Sequence, residues 1–82
     1  MKKYHAIINI TLRKNILDVQ GKTVQHALHS IDFLMINNVR IGKLVELDLE
    51  AESLDNAKEL LNDACNKLIA NPIIEDFEIN IK

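Results

Sequence analysis

Apolar and polar residues alternate at the start of the chain, which is the pattern of a strand with one buried face. The apolar members stand at every second position: Tyr4, Ala6, Ile8, Ile10 and Leu12. Because successive side chains of a strand point to opposite faces, this period of two predicts a first strand over residues 4–13. Ile7 stands on the second face and indicates partial cover there.

Two later stretches have apolar residues three or four positions apart, and each predicts a helix. The first begins at Asp18, ends near Asp32 and has the apolar stripe Val24, Ala27, Leu28 and Ile31. The second begins at Ser53 and has the stripe Leu54, Ala57, Leu60, Leu61, Ala64 and Leu68. Asp18 and Ser53 are suitable N-caps, because their side-chain oxygens can accept from the free amides of a first helical turn. Asn71-Pro72 predicts an abrupt end to the second helix and a last strand from Ile73, since proline cannot continue the helical ladder.

Between the helices, apolar residues keep to odd positions from Val39 to Leu49, with Leu44 as the exception. The unbroken phase favours one long strand over residues 39–50, kinked at Gly42. A hairpin at Gly42-Lys43 remains the alternative, because glycine suits tight turns. A continuous strand of this length would span roughly 40 Å. We therefore expect part of it to contact a second subunit, since a small domain cannot cover it alone.

These elements predict a single α+β domain over residues 1–82. The order is βαβαβ, or ferredoxin-like βαββαβ if the hairpin forms. Either order gives a two-layer α/β sandwich with two helices on one face of a small sheet. A chain of 82 residues buries roughly 60% of its unfolded surface and is marginally stable alone, and one cysteine permits no internal disulfide. We expect self-association, to a dimer or tetramer, to supply the missing stability.

Charge and composition argue against several classes of protein. The formal net charge is −2, and aromatic residues make up 4% of the chain. Nucleic-acid binding is therefore not expected, because it needs clustered cations and stacking platforms. The longest apolar run, residues 33–36, is too short to span a membrane. One free cysteine and no secretory pattern at the N-terminus predict a cytoplasmic protein.

No set of side chains indicates catalysis or metal binding. Cys65 lies deep in the second predicted helix, where a core role is expected. His26 and His29 are one helical turn apart, but no third ligand stands at a suggestive spacing. The segment Val19-Gln20-Gly21 resembles the phosphate loop of acylphosphatases, yet the arginine that should follow is missing. The residues thus predict no catalytic, cofactor or metal site, and an independent enzyme is the less favoured class.

Four blocks of sequence resemble the PurS subunit family of bacterial phosphoribosylformylglycinamidine synthase. They are residues 17–22 (LDVQGK), 27–30 (ALHS), 39–43 (VRIGK) and 68–79 (LIANPIIEDFEI). The blocks stand in the order and at the spacing of that family, and they cover essentially the whole chain. The chain departs from the family at four places. Val19 stands where proline is usual, and Asp32 stands where glycine is common. Ala64-Cys65 stands where methionine is frequent, and Phe77 where tyrosine is frequent.

The resemblance implies a non-catalytic subunit with two larger partners. A glutaminase subunit, PurQ, releases ammonia from glutamine. A synthetase subunit, PurL, binds ATP, magnesium and formylglycinamide ribonucleotide, and ammonia then forms the amidine in purine biosynthesis. The small subunit is implied to bridge the two enzymes and to hold no cofactor itself.

The residues expected to make contacts are the family-like positions that the core pattern does not need. They are Gln20, Gly21, Lys22, His29, Arg40, Gly42, Lys43, Asn71 and Pro72. Two other classes stay open on the residues alone. A ligand-sensing regulatory α/β module would melt at a sharply higher temperature with one amino acid present. A minimal hydrolase of the acylphosphatase kind would turn over an acyl phosphate without any partner.

Overall fold

The computed structural model describes all 82 residues and contains three strands and two helices. The elements are β1 (Lys2–Leu12), α1 (Val19–Ser30), β2 (Gly42–Ala51), α2 (Leu54–Ala64), a π-helical segment that continues α2 (Cys65–Ile69), and β3 (Glu75–Ile81). The predicted α+β class and the order βαβαβ are confirmed. The alternative with a hairpin at Gly42-Lys43 is wrong, because both residues lie inside β2.

The sheet is antiparallel throughout, with β1 in the centre and the order β2-β1-β3. Ile8 of β1 stands between Val45 of β2 and Ile79 of β3. The pairing of β1 with β2 runs the length of both strands, whereas β3 pairs only with the half of β1 from Ala6 to Leu12. β2 and β3 are therefore both edge strands.

The core lies between one face of this sheet and α2. It is formed by Ala6, Ile8, Ile10, Leu61, Cys65 and Ala70. Ser53 caps α2 as predicted, its hydroxyl accepting from the Asn56 amide at 3.1 Å. Cys65 is fully buried, which confirms its core role, and burial raises the pKa of its thiol. Three leucines predicted to be buried are exposed: Leu54, Leu60 and Leu68. The buried side of the helix instead follows Ala57, Leu61 and Cys65.

α1 does not lie on the sheet beside α2. α2 packs against β2 and β3, whereas α1 makes no comparable packing contact with any strand. The expectation of two helices covering one sheet face therefore holds for α2 alone. The reason is topological: Thr11 pairs with Gly42, so the chain leaves β1 and enters β2 at the same end of the sheet. α1 lies within that excursion, and the molecule extends over 52 × 24 × 14 Å.

Two predicted boundaries were wrong at the entry to a strand. Residues 39–41 are not part of β2, because the Ile41 amide donates to the Asp18 carboxylate instead of to a neighbouring strand. β3 begins at Glu75 and not at Ile73, because the Asn71 carbonyl accepts from the amides of Ile74 and Glu75 and so forms a turn. β2 is therefore shorter than the predicted strand.

The second face of the sheet has no helix over it and is acidic. Alternation along the strands places five carboxylates there: Glu46, Asp48, Glu50, Asp76 and Glu78. All five are exposed. His5 lies directly opposite Asp48, with 2.8 Å between Nδ1 and a carboxylate oxygen. None of the helices is both long and apolar enough to cross a membrane.

Candidate functional site

The three strands meet at one end of the sheet, next to the start of α1, and we call this region the α1 end. Thr11 of β1 pairs there with Gly42 of β2, and Leu12 pairs with Glu75 of β3. The loop that follows β1, the loop that enters β2 and the turn before β3 converge on it. All the predicted contact residues except His29 lie at or beside this end.

Asp18 holds the start of α1 to the segment that enters β2. One carboxylate oxygen accepts from the Gly21 amide at 2.8 Å, and the other accepts from the Ile41 amide at 2.7 Å. Asp18 is only 4% exposed. These two backbone hydrogen bonds, and then the charge of Arg40, outweigh the effect of burial and lower the pKa of Asp18. The predicted N-cap is confirmed, and it also acts as a tie between distant parts of the chain.

The same bonds decide against an acylphosphatase-like phosphate loop. An anion at the start of α1 would need free amides in the first helical turn. The Asp18 carboxylate already takes the Gly21 amide and brings its own negative charge to this position. The segment Val19-Gln20-Gly21 therefore serves as a capped helix start.

Gly21 and Gly42 stand where a side chain would collide with backbone. A Cβ on Gly21 would run into the Val39 carbonyl oxygen and lie 2.7 Å from an Asp18 carboxylate oxygen. A Cβ on Gly42 would lie 2.5 Å from the Ile10 carbonyl oxygen. Gly21 thus permits the close approach of helix and backbone that its sequence position predicts. Both glycines shape the α1 end from within.

Two arginines connect the loops at the α1 end. The Arg40 guanidinium donates to the Arg13 carbonyl at 2.9 Å. The Arg13 guanidinium donates in turn to the Pro72 carbonyl at 2.6 Å and lies 3.4 Å from the Asp76 carboxylate. The entry to β2, the end of β1 and the turn before β3 are thereby held in one arrangement.

Glu75 is the second buried carboxylate of the α1 end. One oxygen accepts from the Asn71 amide at 2.7 Å, and the other lies 3.4 Å from the Lys43 ammonium. The Asn71 hydrogen bond, followed by the interactions with Lys43, lowers the pKa of Glu75 in spite of its burial. Lys43 and Asn71 are therefore engaged within the chain, and each presents only part of its surface outward.

The remaining predicted contact residues differ in how free they are. Gln20 and Lys22 are exposed on the first turns of α1. Gln20 lines a cavity of about 280 Å³ together with Lys43 and Glu75. His29 lies away from the α1 end, and its Nε2 is 2.7 Å from the Ile36 carbonyl oxygen. It closes the loop after α1 onto the helix.

The chemistry available at the α1 end is that of shape and fixed charge. Asp18 has two backbone amide donors and Glu75 has one, and the cations beside them are paired with carbonyls or carboxylates. No group of three or more His, Cys, Asp or Glu side chains is placed to hold a metal ion. His5 pairs with Asp48 and His29 with the Ile36 carbonyl, so neither imidazole is hydrogen-bonded to a thiol or hydroxyl. This geometry suits a rigid contact surface.

Sequence reasoning missed Arg13 and Glu75 at this end. Glu75 had a signal, because it shares the odd parity of Phe77, Ile79 and Ile81 and so points to the core face. A carboxylate at a core-facing position is expected to have close donors. Arg13 had no such signal, because an exposed cation after a strand is unremarkable in a sequence.

Comparison with known proteins gives one consistent family. The family model described as "PurS: Phosphoribosylformylglycinamidine (FGAM) synthase" matches residues 5–82. The chain is 39% identical over 79 residues to phosphoribosylformylglycinamidine synthase subunit PurS of Bacillus subtilis. The aligned region covers 96% of this chain and 93% of that protein. It is 35% identical over 79 residues to the PurS subunit of Methanocaldococcus jannaschii, with 96% and 95% covered.

Solved structures agree with this match. The crystal structure of PurS from Bacillus subtilis has a TM-score of 0.85 and 38% sequence identity, covering 96% of this chain and 98% of that one. A chain in the structure of PurLQS from Thermotoga maritima has a TM-score of 0.91 and 30% identity, with both chains covered completely.

Proposed function

This chain belongs to the PurS family, and from that premise we propose that it is the non-catalytic PurS subunit of phosphoribosylformylglycinamidine synthase in purine biosynthesis. It bridges a glutaminase subunit, PurQ, and a synthetase subunit, PurL. The observation that carries the proposal is the match, over the complete chain, to a chain within the PurLQS structure.

The α1 end supports a bridging role by its physical character. Its loops are tied together by buried carboxylates and arginines, so its outline is fixed before a partner arrives. A preformed surface loses less conformational freedom on binding, and binding is correspondingly tighter. Gln20, Lys22 and the exposed parts of Arg40 and Lys43 supply the outward polar contacts. Gly21 and Gly42 act from inside by allowing close packing.

Within the proposed complex, ammonia passes from the glutaminase to the formylglycinamide ribonucleotide held by the synthetase. A bridging subunit assists the transfer by holding the two active centres in a fixed relation. ATP and magnesium act on the synthetase, and this subunit holds neither. The complex works in the cytoplasm, where a reducing environment keeps Cys65 as a free thiol.

Reconstitution from separately purified subunits tests the proposal. Glutamine-driven amidine formation should collapse when this chain is omitted, while the reaction driven by added ammonium salt should persist, because only the coupling is lost. Unchanged glutamine-driven turnover without the chain would refute the bridging role.

A pair of variants then tests the α1 end. Lys22→Glu reverses an exposed charge beside Arg40, and Lys58→Glu makes the same change on α2, away from this end. We expect Lys22→Glu to raise the concentration of the chain needed for half-maximal glutamine coupling, and Lys58→Glu to leave it unchanged. Equal effects of the two variants would remove the α1 end as the contact surface.

A further inference from the structure

The turn that leads into β3 carries an apolar side chain outward. Residues 71–74 form this turn, which we call the Pro72 turn. Ile73 is 79% exposed, and Pro72 beside it is also exposed. The residues that bound the turn are buried, since Ala70 is 5% exposed and Glu75 is 8% exposed. Both ends of the turn are therefore fixed in the body of the protein, and Ile73 is the side chain that it projects.

The backbone of the Pro72 turn is held at several points. The Asn71 carbonyl accepts from the Ile74 amide at 3.2 Å and from the Glu75 amide at 2.8 Å. The Asn71 side-chain oxygen accepts from the Ile73 amide at 3.1 Å, and the Asn71 amide donates to the Glu75 carboxylate at 2.7 Å. The ring of Pro72 fixes a further backbone angle. A single exposed apolar residue is ordinary on a protein surface, but this one stands on a backbone that cannot fold it back.

Arg13 holds the same turn from the end of β1. Its amide donates to the Ile74 carbonyl at 2.8 Å, and its guanidinium donates to the Pro72 carbonyl at 2.6 Å. The guanidinium also lies 3.4 Å from the Asp76 carboxylate. The rigid fork of a guanidinium can hold a carbonyl and a carboxylate together, whereas the ammonium of lysine is a single point charge. Arg13 therefore places the turn relative to the sheet.

We propose that the Pro72 turn anchors this subunit on one of the two larger subunits, with Ile73 entering an apolar pocket of that subunit and Arg13 acting as a positioning residue. The inference rests on the proposed function and deepens it by naming an anchor within the α1 end. Burial of an exposed isoleucine is favourable, and on a turn that is already ordered it costs little conformational freedom.

The charges around the turn indicate the rim of the pocket that receives it. Two of the three carboxylates at the α1 end are buried, so the surface presented outward is positive. Such a surface complements an acidic rim. A second copy of the chain would bring the same cations to a symmetric contact and would be repelled. The cations at this end are Arg13, Lys14, Lys22, Arg40 and Lys43, and the carboxylates are Asp18, Glu75 and Asp76.

Reconstitution with a matched pair of variants tests the anchor. Ile73→Ser removes the projecting apolar group, and Leu54→Ser makes a similar change at a leucine that is 44% exposed where α2 begins, at the other end of the sheet. We expect Ile73→Ser to raise about tenfold the concentration of the chain that gives half-maximal glutamine coupling, the effect of losing one hot-spot residue. Leu54→Ser should leave that concentration within a factor of about two. The same concentration for wild type and Ile73→Ser would overturn the inference.

Arg13→Lys tests the positioning role, because it keeps the positive charge and removes the fork. We expect it to raise the half-maximal concentration as well. Combined with Ile73→Ser it should add little, because both changes remove one and the same contact. An arginine that only stabilised the fold would lower Tm and would add its effect in full to that of Ile73→Ser. Additive effects on the half-maximal concentration would therefore remove Arg13 from the anchor.

A crosslinking measurement identifies what covers the turn. A photo-crosslinking amino acid in place of Ile73 should give, on irradiation of the assembled complex, a covalent product with the glutaminase or the synthetase. A covalent dimer of this chain alone would contradict the inference, and so would the absence of any product from a complex that couples glutamine. Failure of the anchor differs from failure of the proposed function, because only the latter leaves glutamine-driven turnover unchanged when the chain is omitted.

Discussion

Gly21→Ala should destabilise the protein, although the same change in an exposed helix is stabilising. Gly21 lies in the first turn of α1 and is the one buried residue of that helix. Alanine in place of glycine normally adds about 1 kcal/mol to the free energy of unfolding of a helical protein, because it restricts the unfolded chain. Burial at Gly21 reverses that expectation.

The size of the effect follows from the space at Gly21. An added Cβ would lie 2.7 Å from an Asp18 carboxylate oxygen and closer still to the Val39 carbonyl oxygen, whereas such carbon atoms do not approach within 3.0 Å. Both obstacles are parts of the tie between α1 and the entry to β2, so relief of the clash would stretch the Asp18 hydrogen bonds. Overpacking of this kind costs about 1–3 kcal/mol or more. We expect a net loss of about 1–2 kcal/mol, which lowers Tm by roughly 5–15 °C.

Ala27→Gly is the matched control in the same helix. Ala27 is exposed on α1, so replacing it with glycine should cost about 1 kcal/mol through helix propensity alone. Thermal and urea unfolding at one fixed chain concentration would compare the three proteins, because self-association makes Tm depend on concentration. Gly21→Ala with a Tm equal to or above that of wild type would refute the packing argument.

Two further predictions concern the turn after α1 and the buried carboxylates. Asp32 has a φ of 75°, and the amides of Asp32 and Phe33 donate to the carbonyls of His29 and Leu28 in a Schellman turn. Because glycine adopts this φ without strain, Asp32→Gly should raise the free energy of unfolding by about 1 kcal/mol. A lower Tm would contradict this. The pKa values of Asp18 and Glu75 are lowered in the folded state from their ordinary values of 3.8 and 4.5. Their contribution to stability is therefore complete above those ordinary values, and it is lost as the pH falls through the lowered pKa values. Urea midpoints should therefore drop below about pH 4.5, and Glu75→Gln should drop less steeply; identical pH profiles for the two proteins would contradict the assignment.

The elements were predictable because their apolar periods are strong and their caps are local. The alternation along β1 leaves one face for the core, and Asp18 and Ser53 each accept an amide three residues ahead. A cap needs only the residues beside it, so it can be recognised without knowledge of the fold. The Schellman turn belongs to the same class, because it needs only the residues at the end of α1.

The position of α1 was not predictable from its own stripe. Val24, Ala27, Leu28 and Ile31 would look the same whether the helix covered its own sheet or another chain. What decides the position is the antiparallel pairing of β1 with β2, which returns the chain to the end of the sheet it left. The hydrogen bond from the Ile41 amide to the Asp18 carboxylate keeps residues 39–41 out of β2. It joins residues far apart in sequence and leaves the apolar alternation unchanged, so the sequence gives no sign of it.

The two helices of this small fold differ in what they contact. α2 completes the core from within, with Ala57, Leu61 and Cys65 against the sheet. α1 is anchored only at its base, so its apolar tip faces away from the core that it would otherwise enlarge. Only 11 of the 82 residues are buried, and the apolar side chains of Ile31, Leu34 and Met35 at the end of α1 and in the loop after it stay outside the core of the single chain. The polar surface where the strands meet does not depend on what covers those side chains, because Asp18 and Arg40 fix it within the single chain.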